Sequence, residues 1–458
     1  MRHRSAVIAE ARRTLSLGLP LMGAQVLGIS NGLVDTLVAG RIGPTALAAV
    51  AIGAGLVFFV TVACIGLMAA LSPTMSSLRA RGHRTEVGRV FRQGLWMAAA
   101  FGLAGFAILL LCRRTIDGWG LDPAMVPSLR DYLGAAVWGL PPAVLLLAAR
   151  NVCEATSRTR QVLLVQGIGV VVNAVADVVL GLGVGLERFG IEPLGIAGIG
   201  WATTLVQLST CAVLFWLLRR PTFERFALYR PLERPDAARL RQLLMLAAPI
   251  SLGLLAEAGL FIATAVQMGQ LGVREAGAHN IAVTMTAAFY MLPLGLSFAL
   301  TARTGAAFGK RWWPGVRLRA ATGTALALLL AIGSATVIVL LREPIVSVFT
   351  EAPDVRVLAA QLLLLAAVFQ VSDAMQCTMI GLLRGLHDTR MPMLLSVFSY
   401  WAIGFGTGWM AANVWGFGAA GLWFGLIAGL SLSALLNGAR LAVILRQHDS
   451  RALSRTPS

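Results

Sequence analysis

The chain has 458 residues, of which 57% are hydrophobic and only 13% are charged, and its mean hydropathy is +0.77. A soluble domain carries about 25% charged residues, so this composition excludes a soluble protein. The apolar runs are continuous and lack the residue-by-residue alternation of membrane β-barrel strands, which excludes that architecture too. We therefore predict an all-α integral membrane protein whose helices cross about 30 Å of hydrocarbon.

Twelve transmembrane helices are predicted, because an apolar run of about 20 residues is long enough to span a bilayer. The predicted spans are Leu15–Ala39, Ala46–Leu71, Val90–Leu111, Tyr132–Ala149, Val162–Gly185, Ile196–Leu218, Leu243–Met268, Ala278–Leu300, Ala320–Leu341, Leu358–Leu383, Met391–Ala412 and Ala419–Leu445. An even number of spans places both termini on one side of the membrane.

The basic residues decide which side that is. The odd-numbered loops hold only eight of the 38 lysines and arginines, namely Arg41, Arg113, Arg114, Arg130, Arg188, Arg274, Arg342 and Arg356. The other 30 lie in the two ends, in the even-numbered loops or, for Arg92 and Arg440, near the span ends that adjoin those segments, so the positive-inside rule predicts cytoplasmic termini and a multi-pass protein of the cytoplasmic (inner) membrane. This distribution accounts for the net charge of +17, so we expect the lipid bilayer, and no nucleic acid, as a partner.

The chain repeats itself at an offset of 229 residues. The matched pairs are Pro20 with Pro249, Gly40 with Gly269, Gly43 with Gly272, Ile52 with Ile281 and Gly66 with Gly295. We predict an N-terminal six-helix lobe at 1–218, a basic cytoplasmic linker at 219–242 and a C-terminal six-helix lobe at 243–458. A parallel repeat implies a pseudo-two-fold axis along the membrane normal and a cavity between the lobes. The spacing of Gly421, Gly425 and Gly429 predicts tight helix packing inside one chain, and we expect a monomer.

Four of the 21 acidic residues fall well inside predicted spans, and no lysine, arginine or histidine lies comparably deep. They are Asp35, Asp177, Glu257 and Asp373. A charge at the centre of a membrane helix costs about 2.5–3.5 kcal/mol, so such residues indicate function. Acids without basic partners favour a site for a cation or a proton.

The first two acids lie in the outer half of their spans. Asn173 is four residues before Asp177 and so shares its helix face, and Thr203 adds a hydroxyl on the sixth span. Carboxylate, amide and hydroxyl oxygens suit Na⁺ or a proton relay. We predict a cation-binding or coupling site at Asp35, Asn173, Asp177 and Thr203. No metal beyond Na⁺ at that site and no cofactor is expected.

The other two acids lie near mid-membrane. Gln370 is three residues before Asp373, and Phe261 and Phe369 lie one turn from Glu257 and Asp373. A carboxylate beside aromatic faces suits a flat organic cation. We predict that these five residues bind substrate or cation.

The chain resembles the multidrug and toxic compound extrusion (MATE) family from about residue 10 to residue 446. The resemblance rests on Gln25, Asp35, Gly40 and Gly43 and on the loop from Gly381 to Pro392, which reads GLLRGLHDTRMP. Glu257 with Asp373 resembles the NorM-type branch. The resemblance implies a first-lobe cation site at Asp35, Asn173, Asp177 and Thr203 and a second-lobe site at Glu257 and Asp373. Phe369 stands where this branch commonly has a tyrosine.

We therefore expect an antiporter, coupled to Na⁺ or H⁺, that exports amphipathic and mostly cationic organic compounds. The alternative is a flippase for lipid-linked saccharides of the same architecture, whose pyrophosphate would call for arginines in the spans. We do not expect an enzyme, because no catalytic motif for a zinc hydrolase, serine hydrolase or P-loop enzyme is present. An intramembrane aspartyl hydrolase would need a catalytic pair of acids. Asp35 and Asp177 do not occupy matching positions of the repeat, as such a pair would, so we do not expect this activity.

Overall fold

The structure is a computed structural model that describes residues 2–119, 123–184, 193–231 and 233–453. Within these ranges all regular structure is helical. The α-helices are α1 (Arg2–Ile42), α2 (Pro44–Met68), α3 (Leu71–Ala80), α4 (Arg84–Thr115), α5 (Val126–Ala136), α6 (Leu140–Ala155), α7 (Arg160–Ala176), α8 (Gly195–Leu217), α9 (Pro221–Glu224), α10 (Ala237–Leu271), α11 (Val273–Gly309), α12 (Trp313–Phe349), α13 (Pro353–Gly385), α14 (Arg390–Val397), α15 (Gly406–Asn413) and α16 (Gly418–Leu453).

Two π-helical segments interrupt this order. The first π segment, Asp177–Gly181, continues α7, and the second π segment, Phe398–Phe405, joins α14 to α15. Eleven helical stretches in the described ranges are long and apolar enough to cross a membrane. The predicted eleventh span, Met391–Ala412, is helical as well, but it consists of α14, the second π segment and α15 in succession. The prediction of an all-α, multi-span membrane protein is confirmed.

The repeat seen in the sequence reappears in the backbone. Gly43 and Gly272 precede α2 and α11 and have φ values of 151° and 152°, a region that residues with a Cβ rarely adopt. Ser157 and His387, which follow α6 and α13, both have φ values of 62°. The same turns therefore recur at matched places in the two halves of the chain.

The chain forms two compact units whose borders lie inside helices. The N-terminal unit is Gly23–Ser251, and the C-terminal unit consists of Met1–Met22 with Leu252–Ser458. Both borders follow a matched proline by two residues, Pro20 in α1 and Pro249 in α10, and a proline removes one backbone hydrogen bond of its helix. These units differ from the predicted lobes at 1–218 and 243–458, because residues 1–22 pack with the C-terminal unit and the linker at 219–242 packs with the N-terminal unit.

In the N-terminal unit, α4 packs on α6, and α8 packs on α5 and α7. Close approach depends on Gly66 of α2, where a Cβ would lie 2.3 Å from the Cα of Ser251. The linker is tied to α4 by ion pairs, since Arg92 and Arg89 hold the two Glu233 oxygens at 2.5 and 3.1 Å. The linker is thus an integral part of this unit.

In the C-terminal unit, α13 is the central helix and packs against α11, α12 and α16. Gly295 of α11 repeats the role of Gly66, because a Cβ there would lie 2.5 Å from the backbone nitrogen of Met22. Trp423 of α16 is fully buried in the core of this unit. Both acids of the predicted second site, on α10 and α13, belong to this unit.

The glycine spacing in α16 serves packing within the chain, as predicted. A Cβ on Gly425 would lie 2.3 Å from the carbonyl oxygen of Gly404, and one on Gly429 would lie 2.8 Å from the Cα of Gly404. Gly421 approaches the backbone of Ala411 at a corresponding distance of 2.6 Å. These three glycines therefore seat α16 against the second π segment and α15.

Candidate functional site

The N-terminal unit brings together the four residues predicted to bind a cation. Asp35 lies on α1, Asn173 on α7, Asp177 at the start of the first π segment and Thr203 on α8. The Asn173 side-chain Nδ2 donates a hydrogen bond of 2.8 Å to Asp35 Oδ1. The Asp35 carboxyl also interacts with the side chains of Asp177 and Thr203. We call this group the N-terminal acid site.

This site holds buried oxygen atoms that lack donors. Asp177 is fully buried, and within the described ranges neither of its carboxyl oxygens has a hydrogen-bond partner. The same holds for Asn173 Oδ1. A buried polar atom left without a partner costs about 1–3 kcal/mol, which a bound proton or small cation would offset. The oxygens therefore suit a hard monovalent cation or a shared proton.

The backbone at Asp177 is unusual in a way that hydropathy does not reveal. Asp177 opens the first π segment, and its carbonyl accepts a bond of 3.3 Å from the amide of Leu182, five residues on. Single π turns inside α-helices often occur at functional sites. The wider turn begins at the residue whose side chain is buried among the other site residues.

The C-terminal unit brings Glu257 of α10 and Asp373 of α13 near one another, and their carboxyl groups interact. Tyr400, in the second π segment, donates to Glu257 Oε2 at 3.5 Å. Gln376 Nε2 donates to the Tyr400 hydroxyl oxygen. Arg384, at the end of α13, also interacts electrostatically with Glu257. We call Glu257, Asp373, Gln376 and Tyr400 the C-terminal acid site.

Other polar side chains line the same region. Gln370 is fully buried, and within the described ranges neither end of its amide has a hydrogen-bond partner. Asp373 Oδ1 is also buried and also has no hydrogen-bond partner in these ranges. Tyr290 of α11 donates to Cys377 Sγ at 3.7 Å and interacts with both acids. The predicted neighbours Gln370 and Asp373 therefore share one buried polar surface on α13.

The two predicted aromatic residues differ in exposure. Phe369 is 1% exposed, and its ring packs edge-to-face against Phe261 and Trp423 with centroid distances of 5.9 and 5.7 Å. Phe261 is half-buried. Phe369 thus belongs to the hydrophobic core of the unit, and of the two rings Phe261 is the more available for contact with a substrate. The role of both in substrate binding stays a prediction.

Sequence reasoning missed the tyrosines. The chain has only four, and three of them lie beside the acids, at positions 132, 290 and 400. Tyr132 of α5 is 1% exposed and interacts with Thr203 and with both acids of the N-terminal acid site. The scarcity of tyrosine in so apolar a chain is a signal that would have pointed to these positions.

Two further acids, both outside the predicted spans, are also buried. Glu154 of α6 pairs with Arg150 at 3.0 Å, and Glu10 of α1 pairs with Arg303 and Arg319 of α11 and α12. The sequence placed both acids in loops, because these helices extend beyond the predicted spans. Both have arginine partners, whereas the four predicted acids have none within 4 Å in the described ranges.

The comparisons with known proteins agree with this architecture. The model of the MatE family matches twice, at residues 20–179 and 249–410, which together make up more than half of the chain. The two matches begin 229 residues apart, the offset of the internal repeat.

Two curated relatives carry the description "Probable multidrug resistance protein NorM". The protein from Xanthomonas campestris pv. campestris is 37% identical over 94% of each chain. The protein from Xanthomonas axonopodis pv. citri is 35% identical over 98% of this chain and 96% of its own. Among solved structures, the eukaryotic MATE transporter AtDTX14 has a TM-score of 0.86 at 15% identity, covering 97% of this chain and 99% of its own.

The membrane-spanning helices and the descriptions of these relatives identify a multi-pass membrane transporter. The chain belongs to the MatE family.

Proposed function

We propose that this protein is a multidrug efflux antiporter of the cytoplasmic membrane, which exports amphipathic, mostly cationic organic compounds in exchange for Na⁺ or H⁺. One observation carries the proposal: each unit holds, within its apolar helices, a pair of acids that have no arginine within ion-pairing distance in the described ranges. The names of the two Xanthomonas relatives support drug export, since both are described as probable multidrug resistance proteins.

The N-terminal acid site is proposed to bind the coupling ion. Asp35, Asn173, Asp177 and Thr203 supply carboxyl, amide and hydroxyl oxygens within one group of contacts. Such hard oxygen ligands suit a small cation, and two adjacent carboxyl groups also suit a shared proton. A flat organic molecule needs apolar contact area that these four side chains do not offer.

The C-terminal acid site is proposed to bind the organic cation. Here the half-buried Phe261 lies one turn after Glu257 on α10 and its ring packs on Phe369, one turn before Asp373, and a cation gains from a carboxylate and an aromatic face together. Protonation of the acids, or Na⁺ bound to them, would remove the negative charge that holds the drug. Competition between drug and coupling ion for the same carboxylates is the proposed basis of exchange.

The energetics of such an exchange are adequate. One elementary charge moving through 100 mV releases about 2.3 kcal/mol. Export against a hundredfold drug gradient costs about 2.7 kcal/mol, because each tenfold concentration ratio corresponds to about 1.36 kcal/mol. For a monovalent drug exchanged one for one the electrical terms cancel, so the chemical gradient of the coupling ion must supply this energy.

The flippase alternative is disfavoured by the same set of charges. A lipid-linked pyrophosphate calls for arginines that are free to form bidentate contacts. Among the half-buried arginines near helix ends, Arg150 and Arg303 are already paired with Glu154 and Glu10, and Arg384 interacts with Glu257.

The test is transport in inside-out vesicles from cells that express the protein, with a fluorescent cationic dye as substrate. A Na⁺ gradient and a pH gradient are imposed separately, and each is then collapsed with a selective ionophore. We expect dye uptake that depends on at least one of the two gradients. Uptake that persists after both gradients are collapsed, or no uptake above control vesicles, would contradict the proposal.

A further inference from the structure

A chain of hydroxyl groups leads away from the C-terminal acid site. The Tyr400 hydroxyl, which donates to Glu257, also interacts with the side chains of Ser433 and Ser396. The hydroxyl oxygens of Ser433 and Ser396 are 2.9 Å apart. Asn437 Nδ2 lies 3.3 Å from each of those two oxygens. One carboxyl group is thereby linked through three hydroxyls to a buried amide.

These groups are deeply buried in the C-terminal unit. Tyr400, Ser433 and Asn437 are 0% exposed and Ser396 is 1% exposed. Within the described ranges Asn437 Oδ1 has no hydrogen-bond partner. The polar groups are therefore contiguous with each other and not scattered over the helix surfaces.

The chain of contacts runs toward one end of the helices. Ser396 is six residues from the start of α14 at Arg390, and Asn437 is three residues before Arg440 in α16. Arg440 pairs with Asp388 at 2.8 Å, and Asp388 lies in the loop between α13 and α14. That loop is cytoplasmic in the topology predicted from the basic residues.

A second serine pair in the same unit shows what a packing contact alone looks like. Ser372 of α13 and Ser431 of α16 share a hydrogen bond of 2.7 Å. Both are only part-buried, and no contact described for either of them reaches Glu257 or Tyr400. Hydroxyl pairs of this kind stabilise helix association modestly. The pair thus offers a matched control for the Ser396–Ser433 pair.

We propose that Tyr400, Ser433 and Ser396 carry protons between Glu257 and the cytoplasmic side, with Asn437 as the residue that positions the two serine hydroxyls. The inference rests on the proposed antiport and assigns H⁺ to the C-terminal acid site.

In the proposed transfer, protonated Glu257 gives its proton to Tyr400 Oη while Tyr400 passes its own proton to Ser433 Oγ. Ser433 passes one to Ser396 Oγ, and Ser396 gives one to a water molecule from the cytoplasm. Only O–H bonds form and break, each hydroxyl again holds one proton, and the net change is one carboxylate and one hydronium ion. Rotation of the hydroxyl groups restores the starting state.

The other charged or titratable groups that interact with Glu257 set the conditions for this transfer. They are Arg384 and Asp373 of α13, Tyr290 of α11 and Cys377 of α13. Of these, Arg384 favours the carboxylate that remains after the proton has left, whereas Asp373 disfavours it when ionised.

The test compares Ser433→Ala and Ser396→Ala with the double variant Ser372→Ala, Ser431→Ala in reconstituted proteoliposomes. A pH-sensitive dye reports the rate of drug-driven proton movement, and fluorescence titration of the purified variants reports equilibrium drug affinity. We expect Ser433→Ala and Ser396→Ala each to slow proton movement about tenfold or more, while drug affinity stays within twofold of wild type. The control double variant should retain the wild-type rate.

Ser433→Thr keeps the hydroxyl and should show the wild-type rate of proton movement. If an alanine variant folds poorly, Tyr400→Phe interrupts the proton chain at a different hydroxyl. Wild-type rates in Ser433→Ala and Tyr400→Phe would overturn the proton chain. Drug exchange coupled to Na⁺ with no proton movement would also overturn it while leaving the antiport intact. The absence of any gradient-driven exchange would instead refute the proposed function.

Discussion

The two units descend from one repeat, yet each keeps its acids where the other has neutral residues. Thr264 stands at the repeat position of Asp35, and Thr407 stands at that of Asp177, at the offset of 230 that applies to this helix. Both threonines donate to the backbone of their own helix, at Leu260 and Ile403. In the reverse direction, Glu257 matches Gly28 and Asp373 matches Ala143. A common architecture therefore carries two sites that are not copies of one another.

The surroundings of the acids differ as well. The N-terminal acid site is compact, with Asn173 donating directly to Asp35 and with oxygen atoms that lack donors. In the C-terminal acid site the second π segment contributes no acid; its Tyr400 links Glu257 to the hydroxyl groups of Ser433 and Ser396. The difference supports the proposed division of labour, in which the N-terminal acid site binds the coupling ion and the C-terminal acid site binds the drug.

The largest effect is expected from neutralising the C-terminal acid site. Asp373→Asn and Glu257→Gln should each abolish drug efflux, because the variants keep the shape of the side chain and lose the charge that attracts a cation. The measurement is resistance and dye efflux in cells that express each variant at the wild-type level. Asp354→Asn, on the exposed first turn of α13, is the control and should retain full efflux. Wild-type resistance in either site variant would remove the C-terminal acid site from the mechanism.

A smaller effect tests whether the two units are built alike around their π segments. A Cβ on Gly198 of α8 would lie 2.3 Å from the carbonyl oxygen of Leu180, just as one on Gly425 of α16 would lie 2.3 Å from that of Gly404. Gly198→Ala and Gly425→Ala should each destabilise the protein by about 1–3 kcal/mol, the usual cost of overpacking.

Thermal unfolding of the purified variants in detergent measures this cost as a lowered midpoint. Gly438→Ala is the control on α16, since its nearest neighbour, Met379 Sδ, would be 3.8 Å from the new Cβ. A loss of stability confined to one of Gly198→Ala and Gly425→Ala would show that the π segments are packed differently in the two units.

The smallest effect concerns the linker of the N-terminal unit. Hydrogen bonds and charge from Arg92 and Arg89 hold the pKa of Glu233 below its ordinary value. Because the folded state lowers this pKa, the contribution to stability is present above the ordinary glutamate value of about 4.3 and is lost as the pH falls below it. Glu233→Gln should therefore lower the unfolding midpoint slightly at pH 7 and by less near pH 3.5, and Glu224→Gln in the same linker serves as control. An equal effect at both pH values would show that charge is not what ties the linker to α4.

Much of the fold was predictable because long apolar runs admit only helices in a bilayer. The acids could be singled out from the sequence because a charge within an apolar span is rare, and Asn173 could be grouped with Asp177 because the two share a helix face. The repeat also pairs Gly43 with Gly272, and the backbone adopts nearly the same φ at both.

What escaped prediction depends on contacts that hydropathy does not record. A π segment differs from an α-helix by one hydrogen-bond register, so the apolar residues around Asp177 and Tyr400 gave no sign of it. The borders between the two units fall inside α1 and α10 because of tertiary packing. The sequence shows only the matched prolines near these borders. Glu10 and Glu154 fall outside the predicted spans because hydropathy does not show that α1 and α6 continue through these positions.

The central claim is the division of labour between the two acid sites, and isothermal titration of a cationic dye into purified variants tests it most directly. Asp35→Asn, Asp373→Asn and the control Asp354→Asn are titrated with and without Na⁺ and across a range of pH. The account predicts that Asp35→Asn binds dye normally but loses the dependence of affinity on Na⁺ or pH that its site provides, whereas Asp373→Asn binds dye weakly. An Asp35→Asn variant that loses dye affinity as severely as Asp373→Asn would contradict the account.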